Sequence, residues 1–175
     1  MMDCKVPDFS CITDEEIIQL IECPKVIVKH AKKNMIIENG SERNDMELVS
    51  INHLYEEQQS FSVFLRRSTV FPEDFSVGLL WKPKDAKKMI LLRYNGRHGL
   101  NRSVAHQRVP HIHRLLADDI LHQNYDPHHA EMTEEYSSME GAIPLFMKRC
   151  HVAEWGKDFP WLRELNLFDS SDWGE

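Results

Sequence analysis

Nowhere in this 175-residue chain do about eighteen apolar residues run together, so no segment is composed to cross a bilayer as a helix. The opening residues Met1-Met2-Asp3-Cys4-Lys5-Val6-Pro7-Asp8 lack the apolar run of a signal peptide, and the expectation is a cytoplasmic protein with reduced thiols and no membrane partner. Its four cysteines, Cys4, Cys11, Cys23 and Cys150, are scattered, with no pair at the two-residue separation of a zinc knuckle or a redox motif. The few glycines spell neither a Walker A loop nor a dinucleotide fingerprint, which argues against nucleotide-powered and nicotinamide chemistry. No serine sits in a hydrolase elbow, and Cys150, with His151 next to it in sequence, reads as a core thiol at a helix end. Internal repeats and low-complexity segments are absent as well.

What the chain does have is histidine. Seven of its ten histidines (His98, His106, His111, His113, His122, His128 and His129) lie between positions 98 and 129, with Arg93, Arg97, Arg102, Arg108 and Arg114 within or beside that stretch. Imidazole moves protons or binds metals near neutral pH, and a guanidinium fork holds phosphate or carboxylate. Charge is concentrated in the same region. From Lys82 to Arg114 nine basic residues face one acid, Asp85, a balance of +8 that leaves −15 for the remainder of a chain whose total is −7. Such a chain steers an anion to one place and stays soluble elsewhere.

With 42% hydrophobic residues the chain can bury a core without disulfides, and we expect one domain over residues 1–152 followed by an aromatic, acidic tail over 153–175. Thr13-Asp14-Glu15-Glu16 has capping-box spacing ahead of Ile17, Ile18, Leu20 and Ile21, which predicts a helix. A second helix is expected through Val26, Ile27, Val28 and Ala31, and Asn39-Gly40-Ser41 breaks the chain. The period then changes to alternation over 61–67, 75–81 and 89–94, three strands of an antiparallel meander joined by turns at 71–74 and 82–85. Residues 47–51 alternate well enough for an edge strand. Val109-Pro110-His111-Ile112-His113 reads as a fourth strand with proline at its start or at a sheet edge. Short helices are expected over 114–122 and over 137–149, where Ser137 and Glu140 have capping-box spacing but an interior Pro144 costs about 3 kcal/mol. The fold class is therefore α+β: an N-terminal helical segment, a meander sheet of about four strands, a C-terminal helix and the tail.

On a strand, His111 and His113 point to one face about 7 Å apart and can act on one ligand. Two imidazoles flanked by arginines suit cleavage of RNA through its own 2′-hydroxyl: a base for that hydroxyl, an acid for the leaving oxygen, and cations for the phosphorane. We assign His111, His113 and His98 to proton transfer, Arg93, Arg97 and Arg102 to the phosphate, and Tyr94 or Tyr125 to stacking on a base. No cofactor is expected and no residue is assigned to a metal. RNA is the expected partner of residues 82–114, so the leading expectation is a small metal-independent endoribonuclease or related phosphodiester-processing protein; a small sheet with a basic face is shared by many RNA-cleaving toxins, an analogy of fold alone. Two alternatives stand beside it. One is a non-catalytic binding module, such as an antitoxin, an inhibitor or a host-factor antagonist, using a protein partner or self-association through Trp155, Trp161 and Phe168. The other is a metalloprotein in which His98, His106, His122, His128, His129, Asp118 or Asp119 completes a site begun by His111 and His113.

Overall fold

A computed structural model describes residues 11–29, 41–50, 60–83, 87–98, 105–160 and 162. The first helix, α1 (Asp14–Glu22), begins as its sequence requires: the Thr13 hydroxyl accepts from the Glu16 N–H at 3.2 Å, and the Glu16 carboxylate accepts from the Thr13 N–H at 2.8 Å. Ile17, Leu20 and Ile21 form its buried stripe.

Eight strands then make one sheet: β1 (Lys25–Lys29), β2 (Ser41–Ser50), β3 (Ser60–Ser68), β4 (Phe75–Lys82), β5 (Met89–Asn95), β6 (His111–Arg114), β7 (Ala130–Met132) and β8 (Val152–Ala153). Strands β1 to β7 are a consecutive antiparallel meander, and β8 returns to pair in parallel with β1. The α+β meander is thus as the sequence indicates, with more strands than the four expected. Where a second helix was expected there is β1. Val26 and Ile27 are β-branched, lose little on a pleat, and find Val49 and Leu48 of β2 opposite. Residues 47–50 are interior rather than an edge, since β2 lies between β1 and β3.

Alternation assigns the two faces. Val63, Leu65, Phe75, Val77, Leu79 and Tyr94 face a core shared with α1 and with α3 (Met139–Arg149), which buries Met139, Ala142, Ile143, Phe146 and Met147. The helix starts one residue later than expected, capped by Ser138, whose hydroxyl accepts from the Gly141 N–H at 3.2 Å. Pro144 is tolerated inside it, because burial of five apolar side chains outweighs one missing backbone bond. Arg67 of β3 hydrogen-bonds Glu140 in the first turn of α3. On the reverse face the register aligns Ser62, Phe64 and Arg66 with Leu80, Gly78 and Ser76, then Arg93 and Asn95 with His113 and His111. The Phe64 ring lies directly on Gly78, filling the space of the absent side chain. A short helix, α2 (Ala117–Leu121), follows β6, and its first N–H donates to the Asp14 carboxylate at 2.7 Å.

Both long helices end at one buried cation. The Lys25 ammonium, fully buried, donates to the carbonyls of Ile21 (2.8 Å), Cys23 (2.7 Å) and Cys150 (3.3 Å) and lies 4.9 Å from the Phe61 ring centroid. Trp155, Phe159 and Leu162 join the same core, so this part of the segment beginning at 153 packs on its own domain; Ala31, Trp161, Phe168 and Trp173 lie outside the described residues.

Replacing Lys25 by methionine keeps the volume but strips three buried carbonyls of their donor. Loss of stability on the order of 3 kcal/mol is expected, read as a fall in Tm of roughly 10 °C. The Glu140 carboxyl gives a second test. Burial would raise its pKa, but hydrogen bonds from Arg67, its own backbone N–H and Ser138, with the Arg67 charge, hold it below the usual carboxylate range. A carboxyl depressed by folding stabilises above its ordinary value and loses that contribution as pH falls. Glu140→Gln is therefore expected to melt below the parent at pH 7, the gap closing as pH drops beneath about 4.5.

Candidate functional site

Strand pairing sets Asn95 opposite His111 and Arg93 opposite His113, which puts these four side chains on the reverse face at one end of the sheet. Both histidines are buried, His111 completely and His113 to 6% exposure, with their rings edge-on at 5.0 Å between centroids. Beyond β5 the chain turns at Gly96, where any Cβ would run into the Glu73 carbonyl and the Phe75 ring, and His98 folds back over His111. The His98 N–H donates to the Gln107 carbonyl at 3.0 Å, which ties this turn to the single-turn helix Ala105–Arg108.

The hydrogen bonds determine the tautomers. The Val109 carbonyl is 2.8 Å from His111 Nδ1 and can only accept, so Nδ1 carries the hydrogen. In neutral His111 this leaves Nε2 as an acceptor, approached by Asn95 Nδ2 at 3.2 Å and His98 Nε2 at 3.1 Å. The Ser76 hydroxyl in turn donates to Asn95 Oδ1 at 2.7 Å. With His111 neutral, these contacts fit one assignment: Ser76 donates to Asn95, His111 donates to Val109, and the single Nε2 lone pair of His111 is shared between donors on Asn95 and His98. Neutral His98 then has Nδ1 as its basic nitrogen. If His98 takes a proton there, its contact with His111 becomes a charge-assisted hydrogen bond.

Behind the pair stands Tyr136, a residue that sequence reasoning missed. Its hydroxyl is shared between the backbone carbonyls of His111 (2.9 Å) and Asn95 (3.2 Å), clamping the two strands where the site is built. Burial, the neighbouring Tyr94 and Glu135 push this hydroxyl far above the ordinary tyrosine value, and the hydrogen bond to Asn95 only partly offsets them, so it stays a donor. Its alternating neighbourhood, Glu134-Glu135-Tyr136-Ser137-Ser138, carries no signal that separates it from a surface tyrosine.

The other residues assigned from sequence are dispersed. Arg97 is exposed beside His98, while Arg93 shares the face of His113 and pairs with Asp126 at 2.9 Å. Arg102 lies outside the described residues. Tyr94 is on the opposite, core face, stacked on Tyr136 with centroids 5.3 Å apart, and burial is the first cause that pushes its hydroxyl up to about 12. That leaves no ring face of Tyr94 toward the histidines. It lines a separate cavity of about 490 Å³ with Ile112, Arg114, Leu145 and Lys148. Tyr125 sits at the far end of β5, where its carbonyl accepts from Ile90 and its ring meets Lys87. The cationic run divides likewise: Lys82, Lys87 and Lys88 belong to the β4–β5 connection, about 20 Å along the strands from Arg97. His122 pairs with Asp118, and His129 with Glu131, both on exposed segments. Among the described residues no three His, Cys, Asp or Glu side chains are grouped to hold a metal ion.

No family model, curated protein or solved structure matches this chain. The tautomer assignment is directly measurable. Long-range proton–nitrogen NMR is expected to find neutral His111 protonated on Nδ1, and the opposite tautomer would contradict the hydrogen-bond chain described here.

Proposed function

We propose that this chain is a small metal-independent ribonuclease in which His98 is the proton-transfer group and His111 its positioning partner. The observation that supports this reading is the 3.1 Å contact between the two Nε2 atoms, backed by Asn95 and Ser76. A fully buried His111 cannot touch a polynucleotide; partly buried His98, beside exposed Arg97, can. His113, packed against the His111 ring, supports the pair from within. In the proposed reaction His98 Nδ1 takes the proton of a ribose 2′-hydroxyl. The 2′-oxygen bonds to phosphorus, the bond to the 5′-oxygen breaks, and that oxygen collects a proton from water. Arg97 offsets the charge of the phosphorane, and Arg93, held by Asp126, adds positive potential.

A second reading draws on the same contact. Metal-bound histidines commonly give their other N–H to a backbone carbonyl, as His111 does to Val109, and two imidazole nitrogens 3.1 Å apart are spaced as on one ion. The described residues supply two such ligands, whereas zinc sites take three or four from the protein.

Purified protein incubated with single-stranded RNA and a chelator is expected to leave 2′,3′-cyclic phosphate ends. His98→Ala is expected to slow cleavage by about 100-fold or more, the usual contribution of a general base, with an unchanged melting curve. Replacing His111 and His113 together is expected to abolish cleavage, provided the melting curve shows a folded protein. Undiminished cleavage by His98→Ala would refute the assignment, and stoichiometric zinc, iron or manganese by elemental analysis would put the metal reading in its place.

A further inference from the structure

Six large apolar side chains stand exposed among the described residues, and four of them gather at the end of the sheet that holds the histidines. Val70 and Phe71 are on the turn between β3 and β4, Val109 precedes β6, and Met132 of β7 is paired with His111. Exposed apolar side chains scattered singly need no explanation, but four at one edge of a candidate site mark a surface that meets something.

The β3–β4 turn is built to hold Phe71 outward. The Ser68 hydroxyl accepts from the N–H groups of Val70 (3.3 Å) and Phe71 (3.1 Å), the Asp74 N–H donates to the Phe71 carbonyl at 2.8 Å, and the Ser68 N–H donates to the Asp74 carbonyl at 2.8 Å. Pro72 fixes the next φ angle. Gly96 seats the His98 turn against Glu73 and Phe75, so the two turns are packed together. Phe71 nonetheless remains 57% exposed and Val70 68%. The ring is thus preorganised beside the site, two to three strand spacings from His111, on the order of 10–15 Å. Exposed Arg97 and Arg108 stand at the same end of the sheet. The β3–β4 turn also carries exposed Glu73, and Asp74, which meets Arg66 at 3.9 Å. A rigid aromatic with arginines beside it is how proteins hold unpaired nucleotides, by stacking a base and tracking the backbone. The arginines favour a polyanion over an apolar protein surface.

We propose that Phe71 is the stacking anchor for a base of single-stranded RNA whose reactive phosphate lies at His98, with Arg97 on the backbone between them and Val70, Val109 and Met132 as further apolar parts of the same surface. This rests on the ribonuclease reading above, and it gives to Phe71 the stacking role that the buried Tyr94 does not fill.

The test uses the full chain with His98→Ala, which spares the probe, and a short fluorescein-labelled single-stranded RNA of mixed sequence read by fluorescence anisotropy. Adding Phe71→Ala is expected to weaken binding about tenfold, within the range of one lost stacked base, while Phe71→Trp restores it and neither moves the melting temperature. In the cleaving parent, Phe71→Ala is expected to raise KM more than it lowers kcat. The same RNA annealed to its complement is expected to bind no differently to the two proteins. Equal affinity of Phe71→Ala and its parent for the single strand overturns the proposal, as does an equal loss on the duplex. Light scattering that shows a dimer broken by Phe71→Ala, with RNA affinity unchanged, assigns the surface to a second copy and likewise overturns it. Cleavage that survives His98→Ala refutes the catalytic assignment separately, whatever Phe71 does to affinity.

Discussion

A single ammonium group holds the two long helices of this protein in place. Lys25 is fully buried, and its charge is met by three carbonyls at the C-terminal ends of α1 and α3, the negative ends of both helix dipoles. An isolated charge in a core is costly, and a charge donating to three aligned carbonyls is far less so. The same residue begins β1, where its N–H donates to the His151 carbonyl and its strand pairs with both β2 and β8. One side chain thereby ties the first helix, the last helix and the strand that closes the chain.

The candidate site depends on that tie at one remove. Once α3 is anchored at Cys150 by Lys25 and in its first turn by the Arg67–Glu140 pair, Phe146 meets Tyr94 edge-on and Tyr94 stacks on Tyr136. From the core face Tyr136 then donates its hydroxyl to the backbone carbonyls of Asn95 and His111. The apolar side of the sheet thus fixes the backbone from which the polar side projects its histidines. Such rigidity is what hydrogen-bonded imidazoles need, since a displacement of about half an ångström is enough to break the 3.1 Å contact between His98 and His111.

Much of the fold was legible in the sequence because its signals are local. The capping box at Thr13 needs only residues 13–16, and the alternation of 61–67, 75–81 and 89–94 needs only a strand each. That His111 and His113 share a face followed from the period of a strand. Other assignments failed where local and tertiary preferences compete. Val26, Ile27 and Val28 fit either a helix or a pleat until β2 offers a partner, and the three-residue β7 is too short to announce itself. The tail was a matter of composition alone, and only the packing of Trp155, Phe159 and Leu162 shows that this part belongs to the core.

By itself, then, the sequence determined the class of the fold, the first helix, the strands of the central meander, and the two histidines on one strand face, because each of these follows from spacings of two to four residues. Only the tertiary structure decided that His98 meets His111 while His122 and His129 do not, that Tyr94 faces the core, that Lys25 is buried, and that the cationic run is split between opposite ends of the sheet. Those outcomes depend on strand register and on chain reversals between distant segments, where a shift of one residue moves every side chain to the other face.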